Sequence, residues 1–315
     1  MNEFIDESPP QVESSSIAYP PKPQLPEQSK NALMRSMISL FIYALLFYIL
    51  FQDVTYIASI LLVIIIHESG HFLMMKYFNY SNVKIFIVPL LGAFTSGKKQ
   101  EVSQFQLSLI ILAGPVPGII IGMVIYFANL NLHNETLNML SNSFLYINLL
   151  NCLPFYPLDG GRLIETLFFK QNHVIRLVFG IISIMALSFL FFYSPFMLIV
   201  PALIALELYN ENKHQKIRDY LSGEKINHHT DYKNLPDKDY WLIRDCLIFS
   251  FPKKYASLTP GKYEYSLLEP LLIQHINSVI QVNLLDDLGT FKRVMVLLFY
   301  LAIFLAPLII LLKNS

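Results

Sequence analysis

The sequence predicts an all-α polytopic membrane protein with about seven transmembrane helices, a short membrane-associated β-hairpin or re-entrant loop, and a small cytoplasmic domain. Three observations carry that reading. Of the 315 residues, 54% are hydrophobic and only 15% charged, far from the usual balance of a soluble globular chain. Uncharged apolar stretches long enough to cross a bilayer follow one another closely. Lys and Arg gather in alternate connecting segments, as a fixed orientation in a bilayer requires. Lys+Arg and Asp+Glu both number 23, so the net charge is zero and no basic field exists for nucleic acid. Cys152 and Cys246 are too few for a disulfide framework.

Residues 1–33 are rich in Pro, Ser and Glu with no apolar run, and read as a flexible polar tail. They lack the short apolar core of a cleavable signal peptide, so the first membrane helix is expected to stay in the mature protein. The membrane core is expected over 34–210, with spans at Ser36–Phe51, Val54–Met75, Phe105–Phe127 and Ser143–Phe169. Leu177–Leu206 is too long for one crossing and holds Ser194-Pro195 near its middle, which predicts two helices joined by a tight turn. Residues 211–293 are polar and expected to form a cytoplasmic domain of unknown role. Within them SLLEPLLIQHINSVIQVNLLDDL has the pattern of an amphipathic helix leading into a last span, Val294–Leu312, in the C-terminal segment 294–315.

Charge fixes the orientation. Lys30 and Arg35 precede the first span, Lys76, Lys84, Lys98 and Lys99 follow the second, and Arg162, Lys170 and Arg176 cluster at the end of the fourth. The segments expected outside, Gln52-Asp53 and Asn129–Asn142, carry no Lys or Arg. The N-terminus is therefore expected in the cytoplasm.

The second span contains His67, Glu68 and His71. Ionisable residues within a bilayer are costly and need a reason. Residues four apart share a helix face, so both imidazoles can point at one metal ion while Glu68 acts on water bound there. This is the His-Glu-x-x-His pattern of zinc peptidases. A chance match, with both histidines satisfied by neighbouring polar groups, is the bland alternative. A catalytic zinc takes three protein ligands plus water, so one more is needed. The fourth span offers Asp159, its only carboxylate before Glu165, among the helix breakers Pro154, Pro157, Gly160 and Gly161. Broken backbone at membrane depth is tolerated where protein or a wet cavity satisfies it.

HESGH in one span and NCLPFYPLDG in another resemble the site-2 protease family of intramembrane zinc metalloproteases (peptidase family M50). Ala113-Gly114-Pro115-Val116-Pro117-Gly118 is similar to that family's Gly-Pro feature on the intervening span, although many members have Asn or Ser where Gly118 stands. The resemblance covers about residues 54–170. It implies that His67, His71 and Asp159 hold Zn2+ and that Glu68 is general base, then proton donor to the leaving amine. It also implies that the Asn151 amide helps hold the oxyanion or orients the substrate, although Asn151 can equally be helix–helix glue. The substrate would be a transmembrane protein or peptide within the lipid bilayer, cut in regulated intramembrane proteolysis. The family habit points to a bacterial cytoplasmic membrane.

The segment VKIFIVPLLGAFTSGKKQ, with Pro89, Gly92 and Gly97, reads as a hairpin or re-entrant loop, or else a plain surface connector. The resemblance implies that it edges the active site and pairs with extended substrate. No PDZ module fits between Gly114 and Asn151. His228-His229 reads as a solvated loop and Cys152 as packing. Two other functions compete. One is a CAAX-type zinc protease, disfavoured by the Leu-Asp-Gly-Gly-Arg segment. The other is a non-catalytic metal-binding membrane sensor or pseudo-protease, disfavoured by the retained Glu68. The sequence carries no signal for an oligomeric state.

Overall fold

Asp53 starts the first fully described helix, its carboxylate accepting from Thr55 N at 2.8 Å and Tyr56 N at 3.0 Å. Helix α1 then runs Val54–Tyr77, apolar on nearly every side. Its buried positions, Ile57, Ile60, Val63, His67 and His71, recur at helical spacing, while Val54, Leu62, Ile65 and Leu73 face outward. Asn79, at φ 60°, turns the chain after α1 into a strand. The computed structural model describes residues 19–24, 52–88, 92–99, 101–169, 172–192, 198–281 and 283–314, with single positions between 38 and 49. Most of the first predicted span, the Ser194-Pro195 turn and Pro89 lie outside these residues.

Strands β1 (Ser81–Val88) and β2 (Gly92–Lys98) pair antiparallel with Ile85 opposite Thr95. After β3 (Glu101–Ser103), the Ser103 hydroxyl accepts from Gln106 N at 3.1 Å and opens α2 (Gln104–Ala113). Gly114 separates α2 from α3 (Pro115–Leu132), and Pro115 fits the first helical turn because its missing N–H has no partner there. Asn134 caps α4 (Glu135–Asn151), accepting from Leu137 N at 3.1 Å. Helix α4 therefore begins eight residues before the predicted Ser143, and the expected loop Asn129–Asn142 shrinks to a two-residue link, His133-Asn134. Its polar residues are absorbed by packing: the buried Ser141 hydroxyl donates to the Gly122 carbonyl of α3 at 2.9 Å.

The Pro-rich stretch after Asn151 breaks the predicted fourth span. Helix resumes as α5 (Asp159–Ile164) and a π-helical turn over Glu165–Phe169. Helix α6 (His173–Ser188) and a 3-10 turn at Phe189–Phe192 follow. Among the described residues, three helices are long and apolar enough to cross a membrane: Val54–Tyr77, Gln104–Leu132 and Thr290–Leu311.

The chain divides into two compact units. A membrane unit comprises Ser29–Leu206 and Leu284–Ser315, and a polar unit comprises Met1–Gln28 and Glu207–Asn283. In the first, α10 (Thr290–Asn314) buries Val296 and Tyr300 with Leu163 and Leu167, and the Tyr300 hydroxyl donates to the Cys152 carbonyl at 2.6 Å. Helix α7 (Ile199–Gly223) carries the chain into the polar unit, whose α8 (Asp237–Ser250) and α9 (Glu269–Val279) bury Tyr240, Trp241, Leu247, Leu272 and Ile276. The predicted amphipathic helix is shorter than expected: it ends at Val279, and β4 (Asn283–Leu285) intervenes before α10. Within the stretch read as a flexible tail, residues 19–24 lie extended on the polar unit, Tyr19 packing on its core.

Candidate metal centre

Helical spacing brings His67 and His71 onto the buried face of α1, with ring centroids 4.9 Å apart. Their Nε2 atoms lie 3.2 Å from one another. Asp159, first residue of α5, places Oδ2 3.0 Å from His67 Nε2 and 3.3 Å from His71 Nε2. All three residues are buried, at 6%, 8% and 7% exposure.

The outer nitrogens decide what the inner ones are. His71 Nδ1 stands 2.8 Å from the Ile110 carbonyl, which can only accept, so this nitrogen carries the proton. His67 Nδ1 stands 2.9 Å from Asn148 Oδ1, and the Asn148 amide nitrogen donates to the Phe144 carbonyl at 2.7 Å. That second bond fixes Oδ1 as the acceptor, so His67 Nδ1 is also the proton-bearing atom. In the neutral imidazoles both Nε2 atoms are then lone-pair donors, facing each other and a carboxylate oxygen without a hydrogen-bond partner. Three buried electron-pair donors converging this closely call for a cation at their centre. A tetrahedral ion with bonds of about 2.0–2.1 Å spaces its donors by about 3.3 Å, close to what is seen. Among the described residues, this is the one group of three His, Cys, Asp or Glu side chains whose ligand atoms converge.

Glu68 follows on α1 and is buried at 5% exposure. The Thr95 hydroxyl of β2 lies 2.7 Å from Glu68 Oε2 and 3.2 Å from the Glu68 carbonyl, so the hairpin strand touches the carboxylate directly.

Small residues let the elements close on this point. A Cβ on Gly70 would sit 1.8 Å from the Ala113 carbonyl oxygen, and one on Gly114 would sit 2.2 Å from His71 Nε2. A Cβ on Gly118 would meet Asn148 Nδ2 at 2.1 Å, so the bare Cα there receives the amide that orients His67. In the second motif segment, Gly160 lets the start of α5 lie against the Cys152 carbonyl, where a Cβ would come within 2.2 Å.

His67, His71 and Asp159 thus come together as their spacing and order predict. Asn151 does not join them: its amide donates to the Ile147 carbonyl at 3.0 Å, one turn back on its own helix. The residue missed from the sequence is Asn148, fully buried one turn before Asn151. A carboxamide in a segment expected to cross the membrane is the available signal, and only helix phase distinguishes the two asparagines. His228 is occupied by the Ile226 carbonyl at 3.0 Å.

In the membrane unit, two histidines and one aspartate that could hold a metal ion lie close together beside a buried glutamate. The family model of peptidase family M50 matches residues 55–142. The chain is 31% identical over 117 residues to stage IV sporulation protein FB of Bacillus subtilis, covering 36% of this chain and 40% of that one. It is 26% identical over 178 residues to a zinc metalloprotease of Methanocaldococcus jannaschii, covering 53% of this chain and 48% of the relative. The chain therefore spans less than half the length of these curated relatives. A site-2 protease structure from Methanocaldococcus jannaschii superposes with a TM-score of 0.41 at 20% identity, over 56% of this chain and 88% of that chain. The resemblance read from the motifs, to peptidase family M50, is borne out by the family model over residues 55–142. The family match stops at residue 142, so Asp159 joins the site through its geometry.

Proposed function

We propose that the chain is an intramembrane zinc endopeptidase that hydrolyses peptide bonds in or near transmembrane segments of membrane-protein substrates. One observation carries this reading: three buried donors converge with their outer nitrogens already bonded, and a buried carboxylate stands next to them on the same helix. His67, His71 and Asp159 would hold the ion through Nε2, Nε2 and Oδ2. Zinc there supplies a water of lowered pKa and polarises the scissile carbonyl. Glu68 takes the proton from the attacking water and passes it to the leaving amide nitrogen, which departs as an amine. Asn148 and the Ile110 carbonyl keep both imidazoles in the tautomer that offers Nε2. Thr95 holds the Glu68 carboxylate in one orientation.

The charge pattern supports a cytoplasmic N-terminus and a site toward the cytoplasmic end of α1, since Lys76 marks that end. The bilayer is that of the bacterial cytoplasmic membrane, and release of a membrane-tethered regulator is the fitting outcome. The Glu68→Gln variant tests the mechanism. It should keep zinc at wild-type stoichiometry in detergent yet lose cleavage of a membrane-peptide substrate by about 10²-fold or more. Asp159→Ala should lose the zinc itself. Cleavage that survives Glu68→Gln sinks the assigned mechanism, and wild-type protein that takes up no zinc sinks the metal centre.

A further inference from the structure

Residues 20–23 read Pro-Pro-Lys-Pro. Proline fixes its own φ and biases the residue before it away from helix, so Tyr19 to Pro23 is pre-set as an extended, polyproline-type strand. Such a strand makes no internal hydrogen bonds and offers its carbonyls outward.

The polar unit bonds the carbonyls of all three prolines. Trp241 Nε1 donates to the Pro20 carbonyl at 2.7 Å, the Tyr265 hydroxyl to Pro21 at 2.5 Å, and the Tyr232 hydroxyl to Pro23 at 2.8 Å. Among residues 20–23 the single backbone N–H is that of Lys22, and Asp237 Oδ1 accepts it at 2.9 Å. The Lys22 ammonium donates to the Lys233 carbonyl at 2.8 Å and to the Leu235 carbonyl, and sits 5.7 Å from the centre of the Tyr232 ring. Tyr19 packs on Tyr263 with ring centroids 4.9 Å apart, and Trp241 stacks on Tyr265 at 6.0 Å. Aromatic side chains that pack on an extended strand and donate to its carbonyls are the chemistry by which proline-rich peptides are bound. A merely apolar strap would need none of these donors.

We propose that the polar unit is a receptor for extended proline-rich segments of the Tyr-Pro-Pro-Lys-Pro kind, and that Tyr19–Gln24 is its ligand in cis. A tethered ligand acts at an effective concentration of order millimolar, so a free segment competes poorly until the tethered one is weakened. The binding surface is thereby held closed to weak partners and open to a protein presenting a better proline-rich segment.

The chain contains one tryptophan, Trp241, and it is fully buried against the segment it binds. Its fluorescence therefore reports on the binding surface alone. Full-length protein in detergent, wild type beside a variant with Pro20→Ser, Pro21→Ser, Lys22→Ala and Pro23→Ser, is titrated with a peptide of residues 17–25. The variant's tryptophan emission should shift to the red and become open to acrylamide quenching. The peptide should reverse both, at a concentration at least about tenfold below that needed to exchange on wild type. Tyr265→Phe added to that variant should weaken peptide binding about fivefold, the loss expected for one hydrogen bond. Lys22→Ala alone, a milder change, should lower the peptide concentration needed for exchange. An unchanged tryptophan in the fourfold variant overturns the proposal. So does a peptide that fails to protect Trp241 in either variant at millimolar concentration, which would make the segment a fixed strap.

Discussion

His67 and Asn148 meet through one hydrogen bond of 2.9 Å, and much of the chemistry of the proposed metal centre depends on it. Removing the amide with Asn148→Ala frees the imidazole to turn or to switch tautomer. Loss of such an outer partner lowers metal affinity by roughly 10–100-fold. Zinc affinity of the purified variant, measured by competition with a chelator, should fall within that range, whereas Asn151→Ala should leave it unchanged. Thr95 acts on Glu68 and on no donor atom of the metal group. Thr95→Val should therefore lower the cleavage rate several-fold with zinc content intact; a loss of zinc would show that the strand supports the metal centre as well. The His-Glu-x-x-His residues and Asp159 were legible because ionisable groups in apolar helices stand out. Asn148 was not, because an amide two or three positions either way looks the same in a string of letters.

At the scale of elements, the closeness of α1, α2 and α3 is set by residues without side chains. Gly114 faces His71 Nε2, and a methyl group there would lie at 2.2 Å. Gly114→Ala should push the imidazole out of line and abolish zinc uptake. Gly223 has open space around the position of its Cβ, so Gly223→Ala should leave zinc uptake at the wild-type level and serves as the control. Zinc content per folded chain, measured on both, separates the two cases. The motif glycines are thus explained by contact, which the spacing alone does not supply. Element ends were read less well than element types. Asn134 caps a helix across a segment expected as the outer link between two spans, and within it Ser141 finds the Gly122 carbonyl. Tertiary packing overrode local polarity there.

For the whole molecule, the polar unit carries a pH dependence of its own. Burial pushes His275 down to about 4, with the neighbouring Lys254, His214 and Lys213 adding to the effect. The Tyr255 hydroxyl stands 2.8 Å from its Nδ1 and His214 Nε2 stands 3.3 Å from its Nε2. An ordinary histidine in the unfolded chain titrates near 6.5. The folded unit therefore prefers the neutral ring, and the associated stability is full above that value and lost as pH falls toward 4. Asp245, raised to about 6 mainly by burial, works in the opposite sense and gains stability as pH falls. Comparing wild type with His275→Phe cancels the aspartate. The unfolding midpoint followed by Trp241 fluorescence should drop more between pH 7 and pH 4.5 in wild type than in the variant. Equal slopes would remove His275 as the source.

Composition and local pattern suffice for the membrane class, the helix that bears His67, Glu68 and His71, and the broken segment that bears Asp159. Each follows from local physics: apolar length, the cost of charge in lipid, helical periodicity and the effect of proline on the backbone. Tertiary structure alone decided which nitrogen of each imidazole faces inward, which asparagine holds His67, and that Thr95 touches Glu68. It also decided that residues 19–24, compositionally a tail, lie extended on the polar unit. These are relations between segments remote in sequence. A hydrogen bond fixes such a relation to a few tenths of an ångström, and no periodicity or composition encodes it.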